Sequence, residues 1–211
     1  MAKNIYFIRH GESEGNVSDI RLPETSPLTE LGRKQAEYAA KRAAKLPIDA
    51  MFASTMVRAQ ETARIISEKT GKDFESFEFF KERIIPSSHV GKPKDDPLVV
   101  EERDHIQKNF GVPGFKHSDE ETFDDLKNRA SATLDFLASR PEENILVVTH
   151  GWILRVILSY VIFGETLTAD ECDKILGAFR TNNTGITLLK HDETKEKPWK
   201  LWIWNDHAHL G

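Results

Sequence analysis

Cys172 is the only cysteine in 211 residues. No intrachain disulfide can form, and no cysteine-built zinc cluster exists. A reducing, cytoplasmic setting fits this usage and is the expected location. Basic residues are not in excess either: 29 Lys and Arg against 34 Asp and Glu leave a formal charge of −5. Tracking a nucleic-acid backbone usually needs a basic face, so nucleic acid is not an expected partner, while a local basic pocket stays open. No apolar run is long enough to cross a bilayer, and the run after Lys3-Asn4 is too short for a signal-peptide core, so no membrane partner is expected. Internal repeats and low-complexity tracts are missing. One composition shift breaks the pattern, a Pro/Gly- and charge-rich stretch over 83–121. The rest is ordinary globular composition, 39% hydrophobic and 30% charged. The length suits a single domain over 1–211 with a cap-like insertion at about 83–121.

Strand and helix signals alternate for most of the length. The run 5–8 is β-branched and aromatic and reads as a strand buried on both faces. Thr29 is a helix N-cap, with Leu28, Leu31, Ala36, Ala39 and Ala43 as the apolar stripe. A short strand over 50–53 leads to a helix capped by Ser54 or Thr55 and stopped by Gly71. The aromatic run 77–80 predicts another strand, ending at Lys81-Glu82. Asp96-Pro97 opens a short helix closed by Gly111. Thr122 with Asp125, and Thr168 with Glu171, are capping boxes. The run 145–149 is the clearest buried strand, followed by an apolar helix to about Phe163 and two final strands. This order predicts a three-layer α/β/α sandwich with a mostly parallel central sheet.

Two stretches are alike: an apolar strand ending in His10-Gly11, and another ending in His150-Gly151. Parallel neighbours would deliver both imidazoles to one sheet edge, where open α/β sheets bind ligands. Arg9 lies at that edge, Arg58 lies in the first turn of a following helix, Glu82 ends a strand, and Asn16 is on the adjacent loop. Two guanidiniums, two imidazoles and helix N-termini make an anion-attracting pocket suited to phosphate. A lone carboxylate can move protons, and an imidazole kept neutral by its positive surroundings can attack phosphorus. Glu12 or a backbone carbonyl would fix its tautomer. Each residue has a bland counterpart: a satisfied core histidine or zinc pair, a structural salt bridge, an asparagine turn. His207 and His209 read as terminal packing residues.

The motifs resemble the histidine phosphatase superfamily, in its phosphoglycerate-mutase-like branch. They are Arg9-His10-Gly11-Glu12-Ser13 with Asn16, Leu28-Thr29-Glu30-Leu31-Gly32 with Gln35-Ala36, Ser54 with Arg58-Ala59 and Thr62-Ala63, Glu82, and Thr149-His150-Gly151. The close, Asn205 to Leu210, fits as well. The resemblance implies that His10 becomes phosphohistidine. It implies that Arg9, Arg58 and His150 hold the phosphoryl oxygens, with Asn16 and the Gly151 N–H, and that Glu82 serves as acid and then base. It implies no metal and no cofactor, because fixed cations take that place. Ser13 and Arg21 are further candidates to line the site.

The mutases of this family carry a Glu-Arg-His-Tyr-Gly type sequence after the acid. Here Glu82-Arg83-Ile84-Ile85-Pro86-Ser87 follows the phosphatase members instead. The expected activity is a metal-independent phosphomonoester phosphatase acting on a small phosphorylated metabolite. The alternatives are a phosphoglycerate mutase and a phospho-ligand-binding protein without turnover. Oligomeric state is not legible.

Overall fold

The computed structural model describes residues 2–211. The chain opens with β1 (Ala2–Arg9) and a short α1 (Glu14–Val17), then α2 (Glu30–Ala43), β2 (Ala50–Ser54), α3 (Val57–Thr70) and β3 (Phe74–Phe77). It continues through α4 (Pro97–Lys108), α5 (Phe123–Ser139), β4 (Asn144–Thr149), α6 (Gly151–Phe163) and α7 (Ala169–Ala178), and closes with β5 (Ile186–Asp192) and β6 (Trp199–Asp206). The sheet order is β3-β2-β4-β1-β5-β6. The first four are mutually parallel, and β5 runs antiparallel to both β1 and β6. This is the three-layer α/β sandwich that the alternating pattern predicts. Among the described residues no helix is long and apolar enough to cross a membrane.

The two faces of β4 show why its sequence is uniformly apolar. Ile145 and Val147 face α5, α6 and α7, where Leu126, Leu134, Ile153 and Ile157 are buried. Leu146 and Val148 face α2 and α3, where Ala40, Ala43, Ala59, Ala63 and Ile66 fill the layer. Small residues on that side bring α2 close. Gly32 lies so near the loop after β1 that a Cβ there would come within 1.9 Å of the Glu12 carbonyl oxygen. A Cβ on Gly11 would come within 2.3 Å of the Gly32 oxygen. The paired glycines seat the His10 loop on the first turn of α2.

Local capping chemistry behaves as expected at Thr29, Asp96, Thr122 and Thr168, each accepting a backbone N–H from the first turn of its helix. Tertiary contacts override it elsewhere. Leu31 is 52% exposed, because Gly32 rather than Leu31 takes the inward position. Met56 is the cap residue of α3, without a side-chain cap. Ser54 Oγ accepts the Met56 N–H at 3.2 Å and meets His150 Nε2 at 2.8 Å, and Thr55 Oγ1 donates to Glu78. The helix from Asp96 ends at Lys108, before Gly111, and Phe110 packs on Phe123 and Trp152.

The strand expected over 77–80 lies earlier, at Phe74–Phe77, and Glu78–Phe80 form a 3-10 turn. Pairing with β2 sets this register, Met51 to Phe74 through Ser54 to Phe77. The turn lets Phe79 and Phe80 both pack with Phe77 and Phe136, which an alternating strand would forbid.

The 83–121 stretch is stitched to the loop after α1. Arg21 N–H donates to Lys92 O at 2.9 Å, Gly91 N–H to Arg21 O at 2.8 Å, and Lys94 N–H to Asp19 O at 2.7 Å. Its other end is tied to the body through Arg129. That guanidinium holds Glu121 with two bonds of 2.7 Å and donates to Phe79 O, Lys81 O and Glu82 O.

Candidate active site

β1 and β4 are adjacent and parallel, with Arg9 opposite Thr149. His10 and His150 therefore leave the sheet side by side, their ring centroids 4.9 Å apart. β2 lies on the other side of β4, and α3 leaves it so that Arg58 falls in the first turn. Arg9, His10, Ser13, Asn16, Arg21, Arg58 and Glu82 all line one cavity of about 360 Å³. Residues of the 83–121 stretch wall the same cavity, among them Arg83, Ile84, Ile85 and Asp119. Gly151 is placed differently. It lines a second recess with Arg9, Glu82, Arg155 and Arg180. His150 lines neither and is fully buried beside His10.

The His10 ring is oriented by the backbone. Its Nδ1 meets Gly11 O at 2.6 Å, so Nδ1 carries the proton and donates it. Nε2 keeps its lone pair, and Arg58 Nε–H points at it from 3.2 Å. Of the two expected tautomer-fixing partners, the backbone carbonyl is the one used. Glu12 instead accepts from Thr29 Oγ1 at 2.8 Å. Thr62 Oγ1 accepts the Gly11 N–H at 3.1 Å and holds the loop.

Burial, then Arg58 and Arg9, push the His10 pKa well below the ordinary imidazole value, against the opposing pull of the Gly11 carbonyl. Burial, then His10, Arg58 and Arg9, do the same to His150. Both rings are neutral in the folded protein near neutral pH. In the window just below pH of about 6.5 the unfolded chain binds protons that the folded chain refuses. Stability therefore falls as pH drops through that window, by up to about 1.4 kcal/mol per pH unit for each ring. Chemical denaturation at pH 7 and 5.5 checks this. Histidine NMR should show the two buried rings unmoved where ordinary imidazoles titrate.

Two further arrangements bear on the chemistry. Glu82 carries its carboxylate to the N-terminus of α6, accepting from Trp152 N at 3.1 Å and Ile153 N at 3.0 Å, with Arg83 N at 3.1 Å. Asn16 Oδ1 accepts from Ser13 N and from Asn183 Nδ2, which leaves the Asn16 amide nitrogen unspent. Arg9 donates to Thr181 O at 2.6 Å, and its Nε is buried without a partner. A Cβ on Gly151 would strike Thr181 Oγ1 at 2.5 Å and approach Arg9 Nε at 3.3 Å. Among the described residues no three His, Cys, Asp or Glu side chains gather in a way that could hold a metal ion.

Sequence reasoning assigned no role to Asn183, Thr181 and Arg129. Asn183 reaches back from the loop before β5 to the His10 carbonyl at 3.0 Å. Arg129 fixes the backbone that presents Glu82. Arg129→Met removes one partner of a nearly buried ion pair and should cost about 3 kcal/mol of stability. A mere stability defect would leave activity per folded molecule intact. We expect that activity to fall as well, measured by urea unfolding alongside kcat.

The family model of the histidine phosphatase superfamily, branch 1, matches residues 5–207. A probable phosphoglycerate mutase, GpmB of Yersinia pestis (strain Pestoides F), is 28% identical over 98% of this chain and 94% of its own. Among solved structures, Bacillus stearothermophilus YhfR superposes with a TM-score of 0.81 at 24% identity, covering 99% of this chain and 100% of its own. The alpha-ribazole phosphatase from Shigella flexneri superposes with a TM-score of 0.79 at 20% identity, covering 97% of this chain and 96% of its own.

Proposed function

The chain belongs to the histidine phosphatase superfamily, and we propose that it is a metal-independent phosphomonoester phosphatase working through phosphohistidine on a small phosphorylated metabolite. The observation that carries this reading is the His10 ring. Its Nδ1 is committed to Gly11 O and its Nε2 lone pair lies at the cavity beside Arg58. A neutral, desolvated imidazole whose one unprotonated nitrogen faces guanidiniums is a nucleophile suited to a dianionic phosphoryl group once Arg58 turns its N–H from that nitrogen to the phosphoryl oxygens.

In the proposed cycle His10 Nε2 attacks phosphorus, and the bond to the leaving oxygen breaks. Glu82 gives that oxygen a proton. Water then attacks the phosphohistidine, Glu82 takes a proton from it, and the N–P bond breaks to release inorganic phosphate and restore His10. Arg9, Arg58 and the Asn16 amide nitrogen stabilise the three equatorial oxygens, with the Gly151 N–H reaching them from the adjoining recess that Arg9 and Glu82 also line. For His150 we assign Nδ1 as the donor. In that tautomer Ser54 Oγ, which accepts from Met56 N–H, gives its proton to Nε2, and Nδ1–H is the group left without a protein partner. The 83–121 stretch acts as the cap that selects the leaving group.

The name of the Yersinia relative favours a second reading, phosphoglycerate mutase. The two separate in one assay. A phosphatase releases phosphate steadily from an aryl phosphate in chelator, without a bisphosphate primer. Isomerisation that depends on the primer, with no steady release, would replace the first reading by the second. Binding of phosphate without either activity would leave a ligand-binding protein.

A further inference from the structure

A residue outside the cavity joins the His10 backbone to the Asn16 side chain. Asn183 lies on the loop before β5 and lines neither the cavity nor the recess beside it. Its Nδ2 donates to His10 O at 3.0 Å and to Asn16 Oδ1 at 3.3 Å. A primary amide nitrogen carries two protons, so each bond has one of its own.

The orientation of both amides is forced. Asn16 Oδ1 also accepts the Ser13 N–H at 3.1 Å, and a backbone N–H needs an acceptor. The His10 carbonyl needs a donor, so Asn183 must present nitrogen to it. Turning either amide over would set nitrogen against nitrogen or oxygen against oxygen. The Asn16 amide nitrogen is thereby kept clear of these partners, and Asn16 lines the cavity. The same contact clamps the peptide unit that follows His10. Asn183 holds its carbonyl oxygen, and Thr62 Oγ1 accepts its N–H, that of Gly11, at 3.1 Å. Gly11 is also the residue whose carbonyl takes the His10 Nδ1 proton.

The loop that carries Asn183 is braced from the C-terminal end of the chain. Thr184 is fully buried at φ 58°, a backbone conformation that β-branched residues rarely adopt. Its N–H donates to Arg9 O at 2.9 Å, and its hydroxyl meets His209 Nε2 at 3.1 Å. Asn205, at φ 48°, accepts the Asn182 N–H through Oδ1 at 2.7 Å. A Cβ on Gly185 would come within 2.1 Å of that oxygen. Strain of this kind persists only where the surroundings over-determine it. Here it holds Asn183 against the His10 loop.

We infer that Asn183 is a positioning residue for phosphoryl transfer, setting the His10 ring and the Asn16 amide nitrogen relative to each other through one amide. This rests on the phosphatase reading and adds to it a residue that never touches the substrate.

A double-mutant cycle on 4-nitrophenyl phosphate tests it, with Asn183→Ala, Asn16→Ala and the two combined, each corrected for the folded fraction by urea unfolding. Asn183→Ala should lower kcat about tenfold and move KM by less than about threefold, as for a displaced rather than a missing group. Asn16→Ala should then cost several-fold less in the Asn183→Ala background than in the wild-type protein, because the amide it removes is already misplaced. Asn183→Asp keeps the size but has no proton to offer two oxygens, so its kcat should fall at least as far. It also serves in the cycle should Asn183→Ala fail to fold. A residue that only packs the loop would lower stability, keep kcat per folded molecule, and leave the Asn16→Ala penalty equal in both backgrounds. That result, with the wild-type protein active, would overturn the inference alone. No hydrolysis by the wild-type protein would remove the phosphatase reading and this inference with it.

Discussion

His10→Ala is expected to lower kcat for any phosphomonoester by at least about 10⁴-fold, which corresponds to about 5.5 kcal/mol of transition-state stabilisation. The size follows from what the ring does. A binding residue shares its load with Arg9, Arg58 and His150, and its loss leaves the others in place. A nucleophile has no substitute, because the two-step route closes with it. The structure argues for the second role through one asymmetry. Nδ1–H donates to a backbone carbonyl at 2.6 Å, while Nε2 keeps its lone pair and accepts the Arg58 Nε–H at 3.2 Å, on the cavity side. Were His10 only a packed core histidine, alanine would cost stability and leave much of the turnover. Circular dichroism on the variant separates the two, and His10→Asn, nearer in size, serves as the second substitution.

Glu82→Gln is expected to lower kcat by about 10²–10⁴-fold for alkyl phosphates, the range for a lost general acid and base. The leaving group decides the pattern. A weakly basic nitrophenolate departs without a proton, so the first step should survive. The second step still needs a base for water. The variant should therefore release one equivalent of nitrophenol in a burst and then turn over slowly. Glu82 also takes the Trp152 and Ile153 N–H groups at the start of α6, so glutamine should cost about 1 kcal/mol of stability as a weakened cap. A carboxylate that only capped the helix would show that stability loss, no burst, and equal effects on both substrate types. Stopped-flow absorbance with nitrophenyl phosphate reads the difference.

The parts of this molecule legible in its sequence share a property: they depend on neighbours in the chain. Thr29, Asp96, Thr122 and Thr168 cap helices because the N–H groups they accept are two or three residues away. The apolar runs of β1 and β4 announce buried strands for the same reason, and strand ends carry His10 and His150 to one edge. What stayed hidden depends on distant partners. Ser54 is a cap by local rules, yet its hydroxyl meets His150, 96 positions on. The strand next to β2 takes 74–77 rather than 77–80 because pairing, not aromatic content, sets its register. Asn183 and Arg129 carried no local signal, since the backbone carbonyls they hold lie 173 and 47 to 50 positions away. Leu31 and Gly32 show the same limit within one turn of helix: only the approach of the Glu12 backbone makes the glycine the buried one.

The proposed cycle requires phosphorus to be bonded to His10 during turnover. Rapid mixing with ³²P-labelled substrate, an alkaline quench that preserves phosphohistidine, and peptide mapping test it directly. One phosphoryl group is expected, on the peptide that contains His10, formed no more slowly than phosphate is released and missing in His10→Ala. Steady release of phosphate from a protein that never carries the label, or carries it on another residue, would contradict it.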